Sequence, residues 1–87
     1  MAHAFLEMWP ALVAELRQAL TFGDSPGVTQ AAHQIKGAAA NVGAVLVAEV
    51  SGRIELAAAT GSAHLGLVDQ LQDELASATR LLRLAVP

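Results

Sequence analysis

The chain has 87 residues, no cysteine and a formal net charge of −3. That length accommodates one domain, residues 1–87, with a modest core built from mostly local contacts. The lack of cysteine excludes disulfides, thiolate metal sites and cysteine nucleophiles, and five scattered basic residues (Arg17, Lys36, Arg53, Arg80, Arg83) exclude the basic face that nucleic-acid binding needs.

Apolar residues make up 54% of the chain, most of them Ala and Leu, and aromatics only 3%. Ala and Leu lead the helix-propensity ranking, while strand-favouring aromatic residues are scarce, so an all-α fold is expected. The N-terminal stretch has no basic region and meets Glu7 before any long apolar run, which does not fit a signal peptide. The longest nearly continuous apolar run, Val42 to Ala48, falls far short of the ~20 residues that span a bilayer. A soluble, cytoplasmic protein without membrane contact is the expectation.

Three turn signals divide the chain into four helical segments. The first helix carries Phe5, Trp9, Leu12, Val13, Leu16 and Leu20 at helical spacing. Pro10 interrupts it, predicting either a kink or a short preliminary turn. Trp9, Phe5 and Phe22 are expected to pack in or at the edge of the core. In the run Phe22-Gly23-Asp24-Ser25-Pro26-Gly27, Gly23 suits a helix end, Asp24 or Ser25 an N-cap, and Pro26 a first turn.

The second helix is expected from about Pro26 to Asn41, with Val28, Ala31, Ala32, Ile35, Ala38, Ala39 and Val42 facing inward. Asn41-Val42-Gly43 is short enough to make a helical hairpin. The third helix, about Ala44 to Ala59, offers Val47, Val50, Ile54 and Ala57 or Ala58. Thr60-Gly61-Ser62 closes it, with Ser62 free to cap the fourth helix, about Ala63 to Val86. That helix offers Leu65, Val68, Leu71, Leu75, Ala78, Leu82 and Ala85. Short connections imply an antiparallel up-down-up-down four-helix bundle, whose core can close within one monomer.

The least ordinary stretch is His33-Gln34-Ile35-Lys36-Gly37-Ala38-Ala39-Ala40-Asn41-Val42-Gly43. His33, Lys36, Gly37 and Ala40 fall at i, i+3, i+4 and i+7, so they share one helix face. That face has an imidazole, a cation one turn along, and then almost no bulk. It would let another protein come close to the imidazole and would place an ammonium where a phosphoryl group needs neutralising.

This motif is similar to the core motif of histidine-containing phosphotransfer (HPt) domains: a His, two variable residues, Lys-Gly, small residues, and a Gly at the hairpin turn. The likeness extends over about Phe5 to Gly61 and includes an Ile-Glu pair, Ile54-Glu55, in the third helix. The resemblance implies that His33 is the phosphoacceptor and Lys36 contacts the phosphoryl oxygens. Glu55 would orient the imidazole, and Gln34, Gly37, Ala40 and Asn41 would meet the partner. Helix geometry independently puts His33 and Glu55 at similar heights, since they lie about equally far from the hairpin apex at about 1.5 Å per residue.

The implied function is a phosphorelay carrier that accepts a phosphoryl group from a receiver-domain phosphoaspartate and passes it to another receiver Asp. The implied partners are response-regulator receiver domains and a hybrid sensor histidine kinase. The chain would need no cofactor, with Mg²⁺ belonging to the receiver, and no Gly-rich phosphate loop or kinase signature suggests an ATP site. His3 and His64 have no partners at metal-ligand spacing.

Simpler readings stand beside these. Lys36 could be an ordinary solvated lysine, Gly37 could serve close helix packing, and Glu55 could pair with Arg53. The rival function is a non-catalytic helical docking or dimerisation module of a signalling protein.

Overall fold

The computed structural model describes residues 2–85, with the side chains of residues 4–84. They form four helices and, among the described residues, no strand: α1 (Ala2–Thr21), α2 (Ser25–Asn41), α3 (Val45–Ala59) and α4 (Leu65–Ala85). Val86, expected at the end of the fourth helix, lies outside the described residues.

The first three helices stop in the same way. Beyond the last turn of each, Gly23, Gly43 and Gly61 adopt φ of 68°, 75° and 73°, a region that costs residues with a Cβ. The next amide then reaches back to a carbonyl of the last turn: Asp24 to Ala19, Ala44 to Ala39 and Ser62 to Ala57. These bonds satisfy carbonyls that a helix end otherwise leaves open. At the start of α2, the Asp24 carboxylate accepts from the Gly27 amide at 3.0 Å. A Cβ on Gly27 would collide with that carboxylate.

α1 packs on α2 and α4, and α3 packs on the same two, with no diagonal contact among the described residues. The resulting bundle measures 42 × 19 × 19 Å. Its core holds Phe5, Leu12, Val13 and Leu16 from α1; Val28, Ala31, Ala32, Ile35 and Ala39 from α2; Val47, Val50, Ile54 and Ala58 from α3; and Val68, Leu71 and Leu75 from α4. Each large member contributes about 1.5–3 kcal/mol by leaving water. Three polar links join α1 to α4: the Trp9 indole donates to Thr79 Oγ1 at 3.0 Å, and the Arg17 guanidinium donates to Asp69 at 2.9 Å and to Gln72 Oε1 at 2.5 Å.

Several expectations are corrected. Of the two alternatives at Pro10, the separate preliminary turn is ruled out, because α1 runs through it as one helix; Pro10 is exposed, so the break in the hydrogen-bond ladder lies away from the core. Phe22 is 76% exposed instead of packed, because α1 ends at Thr21 and the chain turns away at Gly23. Leu65 is half exposed as the first residue of α4, ahead of the point where that helix meets the core. Ser62 serves α3 rather than α4: its amide and hydroxyl both face the Ala57 carbonyl. Ala58 is buried and Ala57 only partly so. No helix among the described residues is long and apolar enough to cross a membrane.

Candidate functional site

α2 turns its apolar side to α1 and α3 and leaves His33, Gln34, Lys36, Gly37, Ala40 and Asn41 exposed. Ala32 and Ile35, both fully buried, fix the helix's rotation and so hold His33 on the outside. The His33 side chain is 73% exposed, that of Lys36 49%.

Glu55 arrives from α3, one residue after the fully buried Ile54, and its side chain is only 22% exposed. One carboxylate oxygen lies 3.5 Å from Nδ1 of His33 and the other 3.8 Å from Nζ of Lys36. Both distances are ion-pair separations, longer than a hydrogen bond. The oxygen nearer Lys36 is shielded from solvent and accepts no hydrogen bond. Nδ1 is thus the ring nitrogen that lies beside a carboxylate on α3. Arg53 does not compete for this carboxylate, because it pairs with Glu49 one turn back at 3.0 Å.

Gly37 is not required by packing: a Cβ built there would meet nothing within 4 Å. The missing side chain instead leaves a bare strip with Ala40 next to Lys36. A shallow groove of about 630 Å³ runs along α2 and α3 from His33, lined also by Pro26, Thr29, Gln30, Ala58 and Ala59. Thr29 and Gln30 were not singled out from sequence, although their i−4 and i−3 positions put them on the His33 face. Gln34 and Gln30 border a second groove, about 520 Å³, between α1 and α2, where the exposed Phe22 sits.

The remaining histidines are apart from this cluster. His64 is exposed at the start of α4, and the side chain of His3 lies outside the described ones. No group of three or more His, Asp or Glu side chains among the described residues could hold a metal ion.

The scan against protein-family models matches the Hpt domain over residues 1–81 of the 87, and the chain belongs to that family. Its members take part in histidine phosphotransfer in phosphorelays, interacting with receiver domains and kinases. No curated protein and no solved structure matches the chain.

Proposed function

We propose that the chain is a phosphorelay carrier that takes a phosphoryl group from a receiver-domain phosphoaspartate onto His33 and passes it to another receiver Asp. The observation that carries this reading is the exposed His33 ring with Nδ1 turned to Glu55, and Lys36 beside the same carboxylate. In this reading the helices alternate in direction. Three-residue turns after α1 and α2 support that arrangement, as do the α1–α4 links, where Trp9 meets Thr79 and Arg17 meets Asp69.

The chemistry follows from the imidazole. A neutral ring with its proton on Nδ1 has a lone pair on Nε2. Nε2 attacks phosphorus in line, an N–P bond forms, and the bond to the aspartyl oxygen breaks with its electrons returning to the receiver's carboxylate. The ring becomes a phosphoimidazolium, and Glu55 stabilises the positive charge that appears on it. Lys36 leaves the carboxylate to meet the phosphoryl oxygens, which carry more charge. Passing the group to the next receiver reverses these steps. Mg²⁺ belongs to the receiver's own pocket in this scheme, and a hybrid sensor kinase supplies the upstream phosphoryl group. Gln34, Gly37, Ala40 and Asn41 would meet the receiver, the small ones allowing its active site to approach Nε2.

The test is incubation with a kinase–receiver pair and labelled ATP. Label should reach the wild type in an acid-labile, base-stable form and should not reach His33→Gln. Equal labelling of both, or none of either, rejects the reading and leaves a non-catalytic docking module. Lys36→Ala should slow transfer by about tenfold or more with the fold intact, because the lysine side chain is half exposed.

A further inference from the structure

We propose that a second copy of this chain docks on the outer face of α4, antiparallel, to form a two-fold dimer. Of the five basic residues, Arg17, Lys36 and Arg53 have carboxylate partners within the chain. Arg80 and Arg83 have none among the described residues, and Arg80 only leans back on the Ser77 hydroxyl at 3.3 Å. Both lie in the C-terminal half of α4, whereas its acids, Asp69, Asp73 and Glu74, lie in the N-terminal half. Asp69 is taken by Arg17, and Asp73 and Glu74 have no ion-pair partner among the described residues.

Intrahelical pairing cannot join these charges. Arg80 is six residues from Glu74 and seven from Asp73, beyond the i,i+4 reach. The acid-to-base order complements the helix dipole, which accounts for the sequence of charges. It does not account for the apolar surface beside them. Leu81 is 68% exposed and Leu84 84%, and Leu81 shares a groove of about 190 Å³ with Val45 and Leu46, also exposed. Small residues, Ala76, Ser77 and Ala78, separate the acidic half from the basic half.

An antiparallel crossing at Ser77 satisfies both features. It brings Arg80 of each copy within one helical turn of Asp73 and Glu74 of the other, twice by symmetry. Ala76 and Ser77 let the helices approach, and Leu84, which shares the outer face with Asp73, Ser77 and Arg80 at i, i+4, i+7 and i+11, then leaves water against the second copy. A core that closes within four helices suffices for one monomer's interior; it leaves this face uncovered. α4 does not contact α2, so the dimer keeps His33 open to a receiver.

The test is sedimentation velocity of the full chain from low micromolar to millimolar concentration. The mass should rise from 9.0 kDa towards twice that value. Asp73→Arg and Arg80→Asp should each move the association to about tenfold higher concentration, and the double variant, which rebuilds the pair in reverse, should restore it. Circular dichroism and phosphorylation on His33 show that each variant is folded, and their retention separates this proposal from the phosphorelay reading. A chain that stays monomeric throughout, whether or not it adsorbs to anionic phosphatidylglycerol vesicles, overturns the proposal. So does a dimer indifferent to both single changes, or a double variant no better than either single one.

Discussion

The α2–α3 pair and α4 are held in the same bundle by different side chains. Where α2 meets α3 the buried residues include Ala32, Ala39 and Ala58, whereas α4 buries Val68, Leu71 and Leu75. Small residues let helix axes come close, since interaxial distance follows the side chains at the contact. That closeness lets Glu55 reach across to His33 and Lys36. The leucines of α4 bury more apolar area per residue and contribute accordingly more to stability. One pair of helices is thus built for the position of a site, and the fourth for holding the bundle closed.

This contrast can be broken most forcefully at α4. Leu71→Ala leaves a void at a fully buried position and should cost about 2–5 kcal/mol, read as a lower midpoint in urea unfolding. The fraction still folded should transfer phosphoryl groups at the wild-type rate. A second change reverses the pattern. Ala32→Leu, at a fully buried position one residue before His33, overpacks α2 and should cost about 1–3 kcal/mol. It should also slow transfer by about tenfold or more, because misplacing a reacting group by about an ångström is expensive.

Two smaller effects sharpen the account. Ser51 is fully buried on α3 and its hydroxyl has no hydrogen-bond partner. Ser51→Ala removes that unsatisfied group and should raise stability by about 1 kcal/mol in the same unfolding assay. Arg17→Ala removes a surface link from α1 to α4, and its expected cost is under about 1 kcal/mol, since exposed ion pairs contribute little.

Much of this was legible in the sequence because turn chemistry is local. Gly23, Gly43 and Gly61 mark the ends of three helices by a backbone requirement that any reader of the chain can apply. The shared face of the candidate site was legible for a related reason: His33, Lys36, Gly37 and Ala40 lie on one helix, so spacing alone brings them together. Glu55 was placed at the right height by counting residues, but its direction depended on how α3 rotates, which its buried Val47, Val50 and Ile54 decide together with neighbours.

What escaped the sequence was tertiary. Leu65 and Phe22 carry apolar side chains at helix ends, where periodicity cannot tell whether a neighbour extends far enough to cover them. Ser62 offered a plausible cap for the following helix, yet the preceding one claimed it. Ser51 gave no warning of burial, because a lone serine inside a helix reads as solvent-facing. The cross-links from Arg17 to Asp69 and from Trp9 to Thr79 join residues far apart in the chain and follow only from the bundle's register.

The central claim is that Glu55 holds the Nδ1 side of His33 so that Nε2 is the nitrogen that carries the phosphoryl group. Nitrogen–phosphorus NMR of the ¹⁵N-labelled chain, after incubation with a phosphorylated receiver domain, reports the site directly. The account predicts one phosphohistidine, at His33, bonded through Nε2. A phosphoryl group bonded to Nδ1 of His33, or carried by His3 or His64 instead, would contradict it.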